Sequence, residues 1–378
     1  MKRTMHWQLT ALAAAAAATA GVRAQAQNDG DVCGPIYDEP PLPPVRRLPE
    51  DGRDTCFGDT GVLWLAASEH KTGTLFAGDL LEKVSAYCNK VGEEAGDPWR
   101  IDTDHRAKEF REDESLDHPE RPMFSANKGF FGQLGVWNKT ESRHERLRVT
   151  HFIRDPMEMV LSAYNYHKTS PEDWTRILWP PSERPPGLLA EPQYANVSYG
   201  EALAILPERE GVLLEASREI KPILAMVRGF CTSKHDLHYM PTSYKDYAGT
   251  EGIANGCRLF RFLGMRRRHA SVLAVSVFGE QQGTTKPEAP LSGAAAAAEQ
   301  WRLEHVTKGT YDKEAQMGYL RESPLYPILL RVVETMRSGD CSGNCSRRIY
   351  CQENLANTGA INWGPAYCQR LAADDPSK

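Results

Sequence analysis

The sequence predicts an α/β fold, a parallel sheet flanked by helices. Two observations carry this. The short continuous apolar run "GVLWLAA" (61–67) passes through a turn rich in Thr and Gly into "LFAGDLLEKVSAYC", whose apolar residues recur at helical spacing. The same order returns at "RLRVTHFI" (146–153), which breaks at "RDP" and enters "MEMVLSAYNYH". Strand–turn–helix units repeated along a chain are the pattern of parallel sheets with helical crossovers.

The elements follow in order. Residues 1–26 read as a targeting segment: "MKRTMHW" supplies two positive charges, "QLTALAAAAAATAGV" is apolar, and Ala24 or Ala26 offers a cleavage point. The apolar run falls short of the roughly 20 residues of a membrane span. A cleaved signal peptide is the first reading, a short type II signal anchor the second and an organellar transit peptide the third. Only an uncleaved anchor would attach the protein to a membrane. Residues 27–59 read as a stem, because "GPIYDEPPLPPVRRLPEDG" holds six prolines and suits neither a helix nor a central strand.

The main domain is expected over 60–337. After the first strand and helix, "RPMFSANKG" is a third strand. Asp155 can cap the helix after the 146–153 strand, and Pro156 suits its first turn. The Pro- and Trp-rich residues 169–200 read as an irregular insertion. "GVLLEASREIKPILAMVRG" (211–229) is helical with Pro222 as a blemish. "DLHYMPTSYKDY" suggests a strand, "IANGCRLFRFLGM" a helix ending at Gly264, and "SPLYPILLRVVETMR" a late amphipathic helix. Between the last two, "FGEQQGTTKPEAPLSGAAAAA" is a low-complexity loop. Residues 338–378 carry Cys341, Cys345, Cys351 and Cys368 and read as a disulfide-stapled appendage, with three pairings open.

The chain of 378 residues suffices for one large or two ordinary domains. A formal net charge of −5 argues against a nucleic-acid partner, which a basic excess would serve. Nine cysteines suit an oxidising lumen, as do sequons at Asn138, Asn196 and Asn344.

The residues that carry chemistry lie at two strand ends. In open parallel sheets ligands sit at the C-terminal ends of strands, where a helix start favours an anion. "HKTGT" occupies such a junction. Lys71 brings a full charge, Thr72 and Thr74 hydroxyl donors, and Gly73 allows close backbone approach. The bland alternative is an ordinary helix start with an exposed lysine. The lysine precedes the glycine, so this is not the G-x-x-x-x-G-K-[ST] loop of ATP and GTP hydrolases. At the second strand end stands Arg154, a forked donor suited to phosphate, with Ser162 eight residues on. Its bland alternative is an ion pair with Asp155 or another carboxylate.

Taken together, Lys71-Thr72-Gly73-Thr74 and Arg154-Asp155-Pro156 with Ser162 resemble the sulfotransferases that use 3′-phosphoadenosine 5′-phosphosulfate (PAPS). The resemblance implies a P-loop-NTPase-like sulfotransferase fold over roughly residues 60–335. It also implies that Lys71, Thr72, Gly73, Thr74 and Leu75 hold the donor's phosphosulfate, and Arg154 and Ser162 its 3′-phosphate. "SYKDYAGTEGIANGCRLFRFLGM" is similar to a further family segment, with Lys245 where an acidic residue is usual. "HVTKGTYDKEA" resembles the late Lys-Gly loop, adding Lys308, Gly309 and Thr310, with Thr307 in place of the usual arginine.

Sulfuryl transfer requires an in-line acceptor, a base for its proton and stabilisation of the leaving phosphate. By resemblance Lys71 stabilises the leaving group, and no metal is needed. For the base, Asp79 stands where carbohydrate-type members carry a glutamate, and it is one methylene shorter. Lys128 is the titratable group of "MFSANKGFF", and Glu82 is a fallback. His167 and Lys168 either line the acceptor cleft or complement a helix end. "MRRRHA" (265–270) is a solvated turn or a dock for an acidic glycan. The expected function is transfer to a hydroxyl, that of a carbohydrate, in the Golgi lumen. A nucleotide kinase or NTPase and a non-catalytic lectin-like relative are the competing readings.

Overall fold

The computed structural model describes residues 33, 56–57, 63–94, 102–104, 123–128, 147–179, 192–194, 196–234, 238–247, 251–279 and 311–341. The targeting segment, most of the stem, Asn138, Asn344, the Lys308–Thr310 loop and the tail beyond Cys341 lie outside the described residues. The described residues divide between two compact units.

The first unit is built on a five-stranded parallel sheet. Its strands are β1 (Leu63–Ser68), β2 (Asp102–Asp104), β3 (Met123–Lys128), β4 (Leu147–Phe152) and β5 (Tyr239–Thr242), in the order β2-β3-β1-β4-β5. The central place of β1 explains its composition. Trp64, Leu65, Ala66 and Ala67 are fully buried, as both faces of a central parallel strand require. The indole of Trp64 donates to Thr150 Oγ1 at 2.8 Å, tying β1 to β4. On β4, the buried His151 Nδ1 lies 2.6 Å from the hydroxyl of Tyr239 on β5.

Helix α1 (Thr74–Glu94) buries Ala77, Leu80, Leu81, Val84 and Cys88, the 3.6-residue stripe read from the sequence. Disulfides Cys56–Cys88 and Cys33–Cys257 fix two stem cysteines to this unit, so the ends of the predicted stem are anchored to the folded domain. The same unit holds two further helices, numbered α6 (Gly252–Phe262) and α7 (Arg267–Ala274) in chain order. A methyl group at Gly256 would meet the ring of Phe278 at 2.4 Å, so only glycine lets this helix approach. The basic run at 265–270 is the start of α7 rather than a turn. Arg267 and Arg268 are exposed, while His269 is buried and bonded to Tyr87.

The second unit is helical. It comprises α2 (Pro156–His167), α3 (Asp173–Arg176), α4 (Tyr199–Ile205), α5 (Glu208–Ser233), α8 (Lys313–Arg321) and α9 (Tyr326–Ser338). Asp155 caps α2 as expected, accepting from Met157 N at 2.9 Å and Glu158 N at 3.3 Å. The 169–200 stretch is less irregular than its prolines suggest. It holds α3, a 3₁₀ turn and the Ser198–Glu201 capping box that opens α4. Helix α5 runs straight through Pro222 for 26 residues and packs against α2, α8 and α9. Cys341 pairs with Cys231 on α5. That pairing is outside the three expected within the tail, so the tail is stapled to the helical unit at its first cysteine. No helix among the described residues is long and apolar enough to cross a membrane.

Candidate functional site

Strand β1 ends at Ser68, and the next four residues pack with the second unit. Thr72 closes this turn. Its Oγ1 accepts from Glu69 N at 2.8 Å and donates to the Glu69 carbonyl at 2.9 Å, and its own N–H donates to the same carbonyl at 3.2 Å. Thr72 is fully buried, so its hydroxyl shapes the loop. The closure places Lys71 at φ 61° and is followed by Gly73 at φ 115°. Glycine adopts such angles freely, whereas a lysine in the left-handed region lies roughly 1–2 kcal/mol uphill.

Arg154, next to the cap of α2, donates from Nη1 to the Lys71 carbonyl at 2.9 Å. Two motifs 83 residues apart in sequence thus meet in one contact. The alternative ion pair is present as well, since Arg154 Nε stands 3.8 Å from the Glu158 carboxylate. The Lys71 ammonium lies 3.0 Å from the ring centroid of Tyr166 on α2, and the Tyr166 hydroxyl donates to Glu172.

Behind this turn is a buried cluster that the sequence did not announce. His70 Nδ1 is 2.8 Å from Glu219 Oε1, and His167 Nδ1 is 3.0 Å from Glu215 Oε1. The two imidazoles stack, 4.9 Å apart and 4° from parallel. Tyr199 donates its hydroxyl to Glu215 Oε2 at 2.9 Å. The Arg218 guanidinium lies over Trp174 at 3.8 Å and Tyr199 at 4.5 Å.

Burial dominates the electrostatics of the cluster. It holds His167 below its ordinary value against the pull of Glu215. It pushes Glu219 up to about 8, and the neighbouring Glu215 adds to the shift. Burial also presses Glu215 upward, but His167, Tyr199 and Arg218 outweigh it and leave this carboxyl low. Glu215 is therefore the ionised partner of a neutral His167, while Glu219 keeps its proton at neutral pH. Burial alone raises Glu69 to about 7.

The remaining predicted residues fall as follows. Thr74 and Leu75 open α1, with Thr74 Oγ1 3.0 Å from Ser68 Oγ. Asp79 is exposed on α1. Lys128 ends β3, in register with Ser68. Ser162 is half-buried in the middle of α2. Lys168 lies over Tyr164 at 4.7 Å. His167 is the last residue of α2 and is wholly buried. His70, Tyr166, Glu215 and Glu219 were missed. A signal existed for the two glutamates, which share a helical stripe with Val212, Ala216, Ile220 and Ile223, charged groups on an apolar face.

Fold and turn together define an α/β protein whose central strand feeds a strained, lysine-bearing loop tied to the arginine that follows β4. No family model matches the chain, and no curated protein matches it. Among solved structures the chain is similar to the mouse sulfotransferase SULT7A1 complexed with PAP. That likeness covers 76% of this chain and 88% of that one, at 13% identity and a TM-score of 0.39. At that score it assigns no role to any residue.

Proposed function

We propose that this protein is a sulfotransferase that moves a sulfuryl group from PAPS to a hydroxyl, that of a carbohydrate, in the lumen of the secretory pathway. One observation carries the proposal: the hydrogen bond from Arg154 to the Lys71 carbonyl. The spacing of the two motifs suggested a donor site, and this contact joins two of its key residues within one unit. The left-handed Lys71 supports the same reading, because backbone strain that the surrounding structure holds in place clusters at functional sites.

In this reading the acceptor oxygen forms a bond to sulfur as the bond from sulfur to the bridging phosphate oxygen breaks. The acceptor proton passes to a base, for which Asp79 and Lys128 are the candidates. The Lys71 ammonium offsets charge on the departing PAP (adenosine 3′,5′-bisphosphate). Backbone and hydroxyl donors at Gly73, Thr74 and Leu75 serve the phosphosulfate end. Arg154 and Ser162 serve the 3′-phosphate, with Lys308, Gly309 and Thr310 assigned by resemblance. The three disulfides among the described residues are consistent with an oxidising compartment.

Calorimetric titration with PAP tests the proposal. Micromolar binding that is lost in Lys71→Ala is expected. Magnesium-dependent ATP turnover without PAP binding would favour a kinase or NTPase instead. PAP binding with no transfer to any acceptor would favour a non-catalytic relative.

A further inference from the structure

We propose that His167, Glu215 and Glu219 bind a divalent transition metal of the zinc class, at a site built inside the helical unit. The three residues offer one ligand atom each, all within 4.8 Å of one another, and all three side chains are buried. Glu215 and Glu219 are four residues apart on α5 and so face the same way, and His167 at the end of α2 completes the set.

One atom of the cluster points to a ligand. Glu219 Oε2 is buried with no hydrogen-bond partner, on a residue 1% exposed. A buried polar atom left unbonded is costly. A cation between the carboxylates and the Nδ1 edge of the His167 imidazole, which already meets Glu215, would satisfy it.

The surroundings match what metal ligands commonly carry. Ligating carboxylates are themselves held by outer hydrogen bonds. Here the Tyr199 hydroxyl holds Glu215 and the His70 ring holds Glu219. One imidazole with two carboxylates is a donor set that zinc accepts in sites with three protein ligands. Glu215, together with Glu219 once the ion displaces its proton, balances a doubly positive ion. The nearby cations are lodged on aromatic faces, Arg218 on Trp174 and Tyr199, and Lys71 on Tyr166. Donors about 2.1 Å from a tetrahedral ion are about 3.4 Å apart. Binding therefore closes the set by up to about 1.4 Å, from 4.8 Å to about 3.4 Å, a side-chain adjustment. The site does not depend on the transferase reading, since none of its three residues is assigned to PAPS.

The test uses the purified full chain and zinc alone. After dialysis against zinc and desalting, elemental analysis is expected to find about one ion per chain, and zinc to raise the melting temperature. The isosteric Glu219→Gln is expected to weaken zinc binding roughly ten-fold or more. X-ray absorption of the zinc-loaded wild type reads the ligands directly and needs no variant to fold. Nitrogen and oxygen donors with imidazole scattering support the site. Sulfur donors would put the ion on the cysteine-rich tail and overturn it. Zinc content well below one per chain, or binding unchanged in a folded Glu219→Gln, would overturn it as well.

Discussion

Lys71 holds a backbone conformation that glycine would hold more easily, and this yields a sharp test. Compare Lys71→Ala with Lys71→Gly. Both lose the ammonium and its contact with the Tyr166 ring at 3.0 Å, a contact that contributes roughly 0.5–1 kcal/mol at a partly exposed site. They differ only in the backbone. At φ 61° alanine retains a strain of roughly 1–2 kcal/mol that glycine escapes. Glycine gives back roughly 0.5–1 kcal/mol through its greater freedom in the unfolded chain. Lys71→Gly should therefore be the more stable variant, by up to about 1.5 kcal/mol, in denaturant unfolding followed by circular dichroism. Both should bind PAP more weakly, because a contact to a charged group is worth roughly 1.5–3 kcal/mol, about 10- to 150-fold in affinity. The reasoning fails if Lys71→Ala is as stable as Lys71→Gly, or if either variant binds PAP as the wild type does.

Three further outcomes are expected. Arg154→Lys keeps the charge but loses the fork that reaches the Lys71 carbonyl, so PAP affinity should drop about ten-fold by calorimetry, and further in Arg154→Ala. His151 is held at about 3 by burial, against an ordinary 6.5. It stays neutral in the fold while the unfolded chain takes up a proton below pH 6.5. The stability it contributes is thus complete above 6.5 and declines as the pH falls toward 3, by up to roughly 5 kcal/mol. Acid titration of unfolding free energy checks this, and His151→Gln, which cannot take the proton, should flatten the slope. Cys231→Ser opens a cross-link spanning 110 residues and should lower stability by about 2–5 kcal/mol without altering PAP affinity.

The sheet was legible because its strands carry their burial in their composition. "LWLAAS" is apolar throughout since β1 is central, and "LRVTHF" was recognisable by its Asp-Pro exit into α2. β2 was not legible, because a three-residue strand reading Asp-Thr-Asp has no hydrophobic period to detect. Helix α5 was found despite Pro222, but no role was read for its acids. Glu215 and Glu219 are buried only because α2 and the Glu69–Thr72 turn supply His167 and His70, partners that are distant in sequence. Cys231–Cys341 was hidden for the same reason. Lys71 and Arg154 were found because a turn between strand and helix is a local feature, and the contact between them was beyond local reading. That Thr72 turns inward onto Glu69 was not legible, since Thr72 and Thr74 differ only in where the turn points them.

The central claim is best tested by transfer itself. The purified protein is incubated with sulfur-labelled PAPS and a panel of glycans, lipids and tyrosyl peptides, without added metal. Label is expected on a glycan hydroxyl, with one PAP released per group transferred, and none in Lys71→Ala. Label absent from every acceptor, together with no binding of PAP, would contradict the account.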